Sequence, residues 1–326
     1  MAAVNLLLRL LSRIYLFAVN LINSHYDRNP APNFGFPVIS VGGIRAGGSG
    51  KTPVCDKIIE EIEALGKTPV LFSRGYKRKS QKTEIVAPHE KTSWETVGDE
   101  PLMLKSRRKS LWLAIDADRN RAAEKLLRFP IDKKSIVAVM DDGFQCRSFR
   151  RDLDIVVLSP NDLNDELLPL GRLREPIKSL ERADVIISQM QMPQYKNRQN
   201  ICVEFSANEF INVKTGEKKN SFDEEILCFC GIARPERFVA SVKKLTGKDS
   251  NCLIFPDHHK FSSKDYKTLN AVSEAALVTT QKDFVRLNEK KMKTLENVWC
   301  LSYDVVIKAE SENLLREKIK ELLISP

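Results

Sequence analysis

The sequence predicts an α/β protein: a larger lobe on a parallel sheet, and a second, smaller α/β lobe joined to it by a β-hairpin linker. Three observations predict it. Short, uninterrupted apolar runs recur at strand length, as in strands buried on both faces. Helical patterns lie between several of them, the arrangement that covers both faces of a parallel sheet. Around residues 201–222 the pattern changes to alternation about a Thr215-Gly216 turn, a hairpin signature. A chain of 326 residues that is 42% hydrophobic can bury cores of this size.

The first element is a helix over residues 1–23. Residues 4–23 read VNLLLRLLSRIYLFAVNLIN, and on a helical wheel Asn5, Arg9, Ser12, Arg13, Asn20 and Asn23 share an arc of about 100°. The rest of the circumference is apolar. A membrane-spanning helix needs about 20 predominantly apolar residues, and Arg9 and Arg13 interrupt this one. A signal peptide carries its charge ahead of the apolar stretch, not inside it. The expectation is a helix lying in the membrane interface with its arginines at the headgroups. The competing reading is a first helix packed into the core.

Pro30, Pro32 and Pro37 mark a turn-rich connection. The larger lobe follows over 24–200, with strands at 38–41, 69–73, 111–115, 136–140, 155–158 and 185–188 and helices such as 52–65 and 119–128. The two-stranded linker takes 201–222. The smaller lobe takes 223–326, with strands at 226–230, 252–255, 277–279 and 298–301. A cleft between two such lobes is a natural place for a substrate.

The strongest local signal is VISVGGIRAGGSGKTP, residues 38–53. An apolar strand runs into a glycine-rich turn, and Lys51-Thr52 opens a helix. Glycines let backbone N–H groups close on phosphate oxygens, and the helix N-terminus adds partial positive charge. Arg45, Ala46, Gly47, Gly48, Ser49, Gly50, Lys51 and Thr52 form the candidate cradle. Lys51 reaches the terminal phosphates and the Thr52 hydroxyl holds Mg²⁺. Arg45 stands where the strict motif has glycine, so the consensus is not fully met. The fold class is therefore a P-loop NTPase-like parallel sheet lobe with a second, smaller α/β lobe.

The apolar run SIVAVM ends in Asp141-Asp142, where an acidic group that meets the metal belongs. The competing reading is a solvated turn. Val97-Gly98-Asp99-Glu100-Pro101 places two acids before a helix, and Phe255-Pro256-Asp257-His258-His259 follows a strand. An Asp–His pair can accept the proton of an attacking hydroxyl. Spacing alone favours the plainer reading, helix capping by Asp99 and ordinary surface histidines.

The net charge of +9 favours anionic partners. The basic clusters at 74–82, 105–109 and 147–151 lack the interleaved aromatic residues that a base-stacking surface needs. Seven cysteines form no CxxC pair and no Cys/His cluster, so neither a zinc site nor a disulfide framework is expected. Cys228 and Cys230 share one face of an apolar strand, as core residues do.

VGGIRAGGSGKTP, Ser73-Arg74-Gly75-Tyr76, Val97-Gly98-Asp99-Glu100-Pro101, Asp141-Asp142-Gly143-Phe144-Gln145, Leu173-Arg174-Glu175-Pro176, Phe255-Pro256-Asp257-His258-His259 and Thr280-Gln281-Lys282-Asp283 occur in this order. Together they resemble the tetraacyldisaccharide 4'-kinases of lipid A biosynthesis, from the first helix to about residue 287. The resemblance implies transfer of the ATP γ-phosphate to the 4'-hydroxyl of a tetraacylated glucosamine disaccharide 1-phosphate. It implies ATP and Mg²⁺ as cofactors and a peripheral location on the cytoplasmic face of the bacterial inner membrane. Expected partners are the lipid A precursor and an anionic membrane surface, with no nucleic acid and no obligatory protein. Asp99 is implied as proton acceptor, oriented by His258 rather than His259. Asp141, Asp142, Gln145 and Glu175 are implied at the metal or phosphates, with Thr52. Gly43, Arg45, Cys146, Leu170 and Arg172 depart from the family's pattern. The alternatives are a phosphate-loop ATPase or GTPase acting as a switch or metallochaperone without a lipid acceptor, and a nucleic-acid-binding module.

Overall fold

The computed structural model describes residues 2–47, 50–159, 161–190, 199–272, 274–307 and 309–324. In chain order the first elements are α1 (Ala2–Arg28), β1 (Val38–Gly42), α2 (Lys51–Ala64), β2 (Thr68–Ser73) and β3 (Glu84–Val86). Next come α3 (Trp94–Val97), α4 (Asp99–Arg107), β4 (Trp112–Ile115), α5 (Arg119–Leu126), β5 (Ile136–Asp141), β6 (Leu153–Leu158) and β7 (Val185–Ser188). β8 (Gln199–Asn212), β9 (Lys218–Lys219), β10 (Ile226–Cys230), α6 (Pro235–Thr246), β11 (Asn251–Ile254) and α7 (Ser263–Asn270) follow. The chain ends with β12 (Ala276–Thr280), α8 (Gln281–Phe284), α9 (Glu289–Met292), β13 (Val298–Ile307) and α10 (Ala309–Ile324).

These elements gather into two compact units, neither continuous in sequence. One comprises Met1–Thr92, Leu104–Glu204 and Val305–Pro326; the other comprises Ser93–Met103 and Phe205–Asp304. The ranges expected from sequence were unbroken, and they differ from this in two places. α10 belongs with the first unit, because Arg316 Nε pairs with Glu61 Oε2 of α2 at 2.7 Å and Lys57 Nζ lies 3.7 Å from Glu312 Oε1. Ser93–Met103 belongs with the second, where Lys260 meets Glu95 at 3.1 Å and Lys282 meets Glu100 at 3.1 Å.

In the first unit the strand order is β8-β7-β6-β1-β5-β2-β4-β3, parallel except for β3 against β4. β1 and β5 are buried along their whole lengths, so apolar side chains serve both faces. The register sets Val41 opposite Asp141 and Gly42 opposite Val156, which brings the end of β1 beside the end of β5. One face packs Val70, Phe72, Ala138 and Met140 with Phe36 and Phe149. The Phe72 and Phe149 rings lie 5.3 Å apart. Truncating a ring such as Phe72 to alanine removes about 3–5 kcal/mol. α5 starts where the Asp118 carboxylate accepts from the Asn120 and Arg121 amides at 3.0 and 3.5 Å.

α1 lies on the first unit by one stripe. Leu8, Ser12, Tyr15, Leu16, Val19, Asn23 and Tyr26 are the covered or half-covered positions, at the three- and four-residue spacing of one helix face. From Val4 to Arg28 only Ser12 is buried. Leu6 is 72% exposed and Phe17 65%, with Leu7, Leu10, Ile14, Leu21 and Ile22 each more than half exposed. The helix is therefore not a core helix, and by length and composition it is also apolar enough to cross a bilayer.

In the second unit β11, β10, β12 and β13 run parallel, and β8 turns back on β9 with Phe210 opposite Lys219. Phe210, Phe222, Trp299, Cys228 and Cys230 pack together, so both cysteines are core residues. α6 opens with Pro235 and ends at Gly247, whose φ of 71° makes the left-handed turn that closes a helix.

Candidate active site

The phosphate-loop segment has the expected local form: β1, a turn, then α2 beginning at Lys51. Gly47 and Gly50 have φ of 110° and 86°, which side-chain-bearing residues adopt at a cost. No side chain caps α2, and its first turn carries no acidic residue. Its leading N–H groups and dipole are therefore suited to an anion. Lys51 Nζ donates to the Gly47 carbonyl at 3.3 Å and lies 3.5 Å from Asp142 Oδ1. Thr52 is the second residue of α2, and Gly48 and Ser49 lie outside the described residues. Ala46 donates its amide to the Arg172 carbonyl at 2.8 Å. The Arg45 guanidinium is paired, at 2.7 Å from Asp165 and 3.7 Å from Asp162, so its charge is compensated.

Asp141 closes β5 and is buried, with the Cys55 thiol 3.9 Å from Oδ1. Asp142 follows with φ of 53°, strained backbone of the kind found at functional positions. Arg174 grips it with both arms, Nη1 to Oδ2 at 2.7 Å and Nη2 to Oδ1 at 2.6 Å. Burial alone pushes the Asp142 carboxyl up, but the Arg174 hydrogen bonds and the charges of Lys51, Arg174 and Arg74 pull it down to about 2. A charged carboxylate, a lysine and a bidentate arginine thus meet at the ends of β1 and β5.

Gln145 and Glu175, expected at the metal or phosphates, are hydrogen-bonded to each other. Gln145 Nε2 donates to the Gly43 carbonyl at 2.9 Å and to Glu175 Oε1 at 3.0 Å. Glu175 Oε2 accepts from Arg182 at 2.7 Å and from Asn23 at 3.4 Å. These bonds brace the loop between Gly43 and Glu175. Among the described residues no group of three or more His, Cys, Asp and Glu could hold an ion alone. Mg²⁺ does not need one: it commonly takes one or two carboxylates, waters and substrate phosphates. Thr52 with the Asp141-Asp142 pair fits that need.

The second unit assembles the other candidate cluster. Asp99 opens α4, is buried, and uses its two oxygens differently. Oδ1 accepts from the Glu100 amide at 2.9 Å, a helix-start contact, while Oδ2 stands 2.9 Å from His258 Nδ1. Lys282 Nζ and Arg286 Nε each lie 3.9 Å from Oδ2. Burial raises the Asp99 carboxyl, but the His258 hydrogen bond and the charges of Lys282, His258 and Arg286 outweigh it and hold it below the usual carboxylate range. Asp99 therefore stays charged and able to take a proton at neutral pH. His258 has φ of 62°, and its amide donates to the Gly231 carbonyl at 3.0 Å. His259 instead meets Asp265 at 3.0 Å and stacks on Phe255 at 4.7 Å. The two adjacent histidines are thus separated by role: one faces Asp99, the other supports the start of α7.

Three basic residues were missed by the sequence reading. Arg174 sits next to Glu175 in a quoted motif, and an acidic pair at a strand end that needs counter-charge was the signal for it. Lys282 and Arg286 are one helical turn apart after β12, a spacing that puts two cations on one face. Arg286 is also fixed by Asp283 at 2.9 Å.

A sequence model of the tetraacyldisaccharide-1-P 4'-kinase family matches residues 4–320. The tetraacyldisaccharide 4'-kinase of Vibrio cholerae is 34% identical over 290 residues, covering 88% of this chain and 82% of that protein. The Aquifex aeolicus enzyme of the same name is 32% identical over 330 residues, covering 96% of each. Among solved structures, LpxK from Aquifex aeolicus in complex with ATP superposes with a TM-score of 0.84 at 29% sequence identity, over 98% of this chain and 99% of that one.

Proposed function

The chain belongs to the tetraacyldisaccharide 4'-kinase family, and from that premise we propose how its residues divide the reaction. It is an ATP-dependent lipid kinase that phosphorylates the 4'-hydroxyl of a tetraacylated glucosamine disaccharide 1-phosphate in lipid A biosynthesis. The observation that carries the reading is the meeting of Lys51, Asp142 and Arg174 at the end of β1 and β5.

The first unit holds the nucleotide. The backbone of Gly47–Gly50 and the start of α2 take the phosphates, and Lys51 and Arg174 offset charge as it shifts to the transferring group. Thr52 and the Asp141-Asp142 pair would hold Mg²⁺, which would neutralise charge on the phosphate oxygens. The second unit supplies the base. Asp99 takes the proton of the attacking hydroxyl, and His258 at Oδ2 orients the carboxylate. Lys282 and Arg286 keep that carboxylate charged.

α1 lies in the membrane interface rather than across it. Ser12, Tyr15 and Asn23 are hydrogen-bonded to the folded unit, which supports a helix lying along it. Its exposed apolar face enters the acyl boundary with Arg9 and Arg13 at anionic headgroups. Acyl chains leave a bilayer at about 0.8 kcal/mol per CH₂, so the enzyme comes to the lipid. The cytoplasmic face of the inner membrane supplies ATP to such an enzyme. The test is incubation with γ-labelled ATP, magnesium and the lipid disaccharide. Label on the 4'-oxygen supports the reading. ATP hydrolysis that ignores the lipid overturns it.

A further inference from the structure

The polar anchors of α1 converge on one short stretch of chain. Ser12 Oγ donates to the Leu167 carbonyl at 3.2 Å, the Tyr15 hydroxyl to the Arg174 carbonyl at 2.9 Å, and Asn23 Nδ2 to Glu175 Oε2 at 3.4 Å. From the other side, Arg147 donates to the Asn23 carbonyl at 2.9 Å and pairs with Asp27 at 2.5 Å. The stretch they hold is the one that grips the phosphate site. The Arg174 amide donates to the Ile44 carbonyl at 2.7 Å, at the end of β1, and its guanidinium clamps Asp142. Between the Tyr15 hydroxyl and the Lys51–Asp142 pair there is one intervening residue. Glu175, held by Asn23, in turn holds Gln145, whose amide braces Gly43.

We propose that α1 is a positioning strut for nucleotide binding: Tyr15 and Asn23 hold the Arg174-Glu175 segment in its clamping position, and an anionic bilayer that seats α1 tightens the hold on ATP. The proposal rests on the reading that the phosphate loop binds ATP and that α1 lies on a membrane.

The seat of α1 on the protein is slight. One buried residue and a few hydrogen bonds secure 27 residues, while most of the apolar surface is unpartnered. Elements held this weakly open with free energies at the low end of the range for a folded protein. A bilayer that takes up the apolar face restrains the same helix from the opposite side and lowers the cost of ordering Arg174. The coupling is carried by named hydrogen bonds to the clamping residue itself rather than by mere proximity. The same link works in reverse: bound nucleotide, by fixing Arg174, strengthens attachment to the bilayer by the same factor.

The test uses the full-length protein, a fluorescent non-hydrolysable ATP analogue with magnesium, and phosphatidylglycerol–phosphatidylethanolamine vesicles free of acceptor lipid. Vesicles are expected to tighten wild-type binding of the analogue by about fivefold or more, the lower end of ordinary coupling between two sites. A Tyr15→Phe, Asn23→Ala double variant is expected to sediment with vesicles as wild type does yet lose that gain. In turnover its KM for ATP rises while its KM for the lipid holds, a split that a general loss of fold would not give. Tyr15→Phe alone removes a single oxygen and carries the test if the double variant is unstable. Wild-type affinity that is equal with and without vesicles overturns the strut, as does a Tyr15→Phe variant that keeps the full gain. Failure of wild type to sediment with vesicles defeats the membrane reading of α1. Failure to bind the analogue at all defeats the phosphate-loop reading. Each takes the strut down with it, and each is read from a different measured quantity.

Discussion

The phosphate cluster and the Asp99 cluster differ in how their parts are spaced along the chain. Gly47, Gly50, Lys51 and Thr52 lie within one turn-and-helix junction, and a single strand register adds Asp141 and Asp142. Asp99, His258, Lys282 and Arg286 come from separated stretches of chain, and only the fold of the second unit brings them within 4 Å of one carboxylate oxygen. The first cluster is a local device, whose geometry is set by backbone that the glycines permit. The second is a tertiary device, whose electrostatics depend on each contributor being held. Substitutions should therefore act abruptly in the first and by degrees in the second.

The largest effect is expected at Lys51. Lys51→Ala should lower phosphoryl transfer by about a thousandfold or more, with an unchanged circular dichroism spectrum, because it removes the ammonium that offsets charge on the transferring phosphate. Near wild-type turnover would end the local-device view. Asp99→Asn should reduce kcat by about 10²–10⁴ with little change in ATP affinity measured by calorimetry. A matching loss of ATP affinity would make Asp99 part of the nucleotide site instead.

His258→Ala tests gradation. Asp99 sits below the usual carboxylate range, so in wild type it remains charged until the pH has fallen past that range. Removing the histidine removes one of the influences that lower it, while Lys282 and Arg286 remain. The acidic limb of the kcat–pH profile should therefore move upward, with a loss in kcat smaller than for Asp99→Asn. An unmoved limb would mean that the histidine does not act through the carboxylate. Asp142 gives the corresponding stability signature in the first unit. Its folded value of about 2 lies below its unfolded value of about 3.9. The stabilisation is complete above the unfolded value and is lost as pH falls towards the folded one. Thermal melts from pH 5 down to pH 2 should show this loss in wild type and less of it in Arg174→Ala.

The smallest effect is expected at Arg45. Its guanidinium is tied to Asp165, so Arg45→Ala should shift the KM for ATP by less than about twofold, with a change in stability of about 1 kcal/mol. A large rise in KM would return Arg45 to the phosphates.

The same contrast explains what could be read from the residues. Strands buried on both faces, such as Val38–Gly42 and Ile136–Asp141, announce themselves by unbroken apolar runs. The three-residue edge strand Glu84–Val86 carries no such run and went unseen. β13 was expected to stop at 301, but it continues to Ile307 because the chain stays extended as it leaves the second unit. Candidate residues within motifs were legible, and Asp99 and His258 do meet. The surrounding charges were not legible, since Lys282 in α8 and Arg286 just beyond it have no sequence mark that says which carboxylate they will face. The partners of Glu175, Asn23 and Arg182, were not legible for the same reason: they are set by packing. The residues that depart from the family pattern at Gly43, Leu170 and Arg172 have no structural account here.

The return of α10 to the first unit has a consequence for biosynthesis. Glu61 is buried near the far end of α2, and it pairs with both Lys57 of the same helix and Arg316 of α10. Translation adds about 5–20 residues per second, so α10 reaches its place only after the whole second unit has been made. The nucleotide-holding half is therefore begun first and completed last, with the whole base-bearing half made in between. A chain truncated before residue 309 should keep the Asp99 cluster of the second unit and lose the Arg316–Glu61 pair of the first.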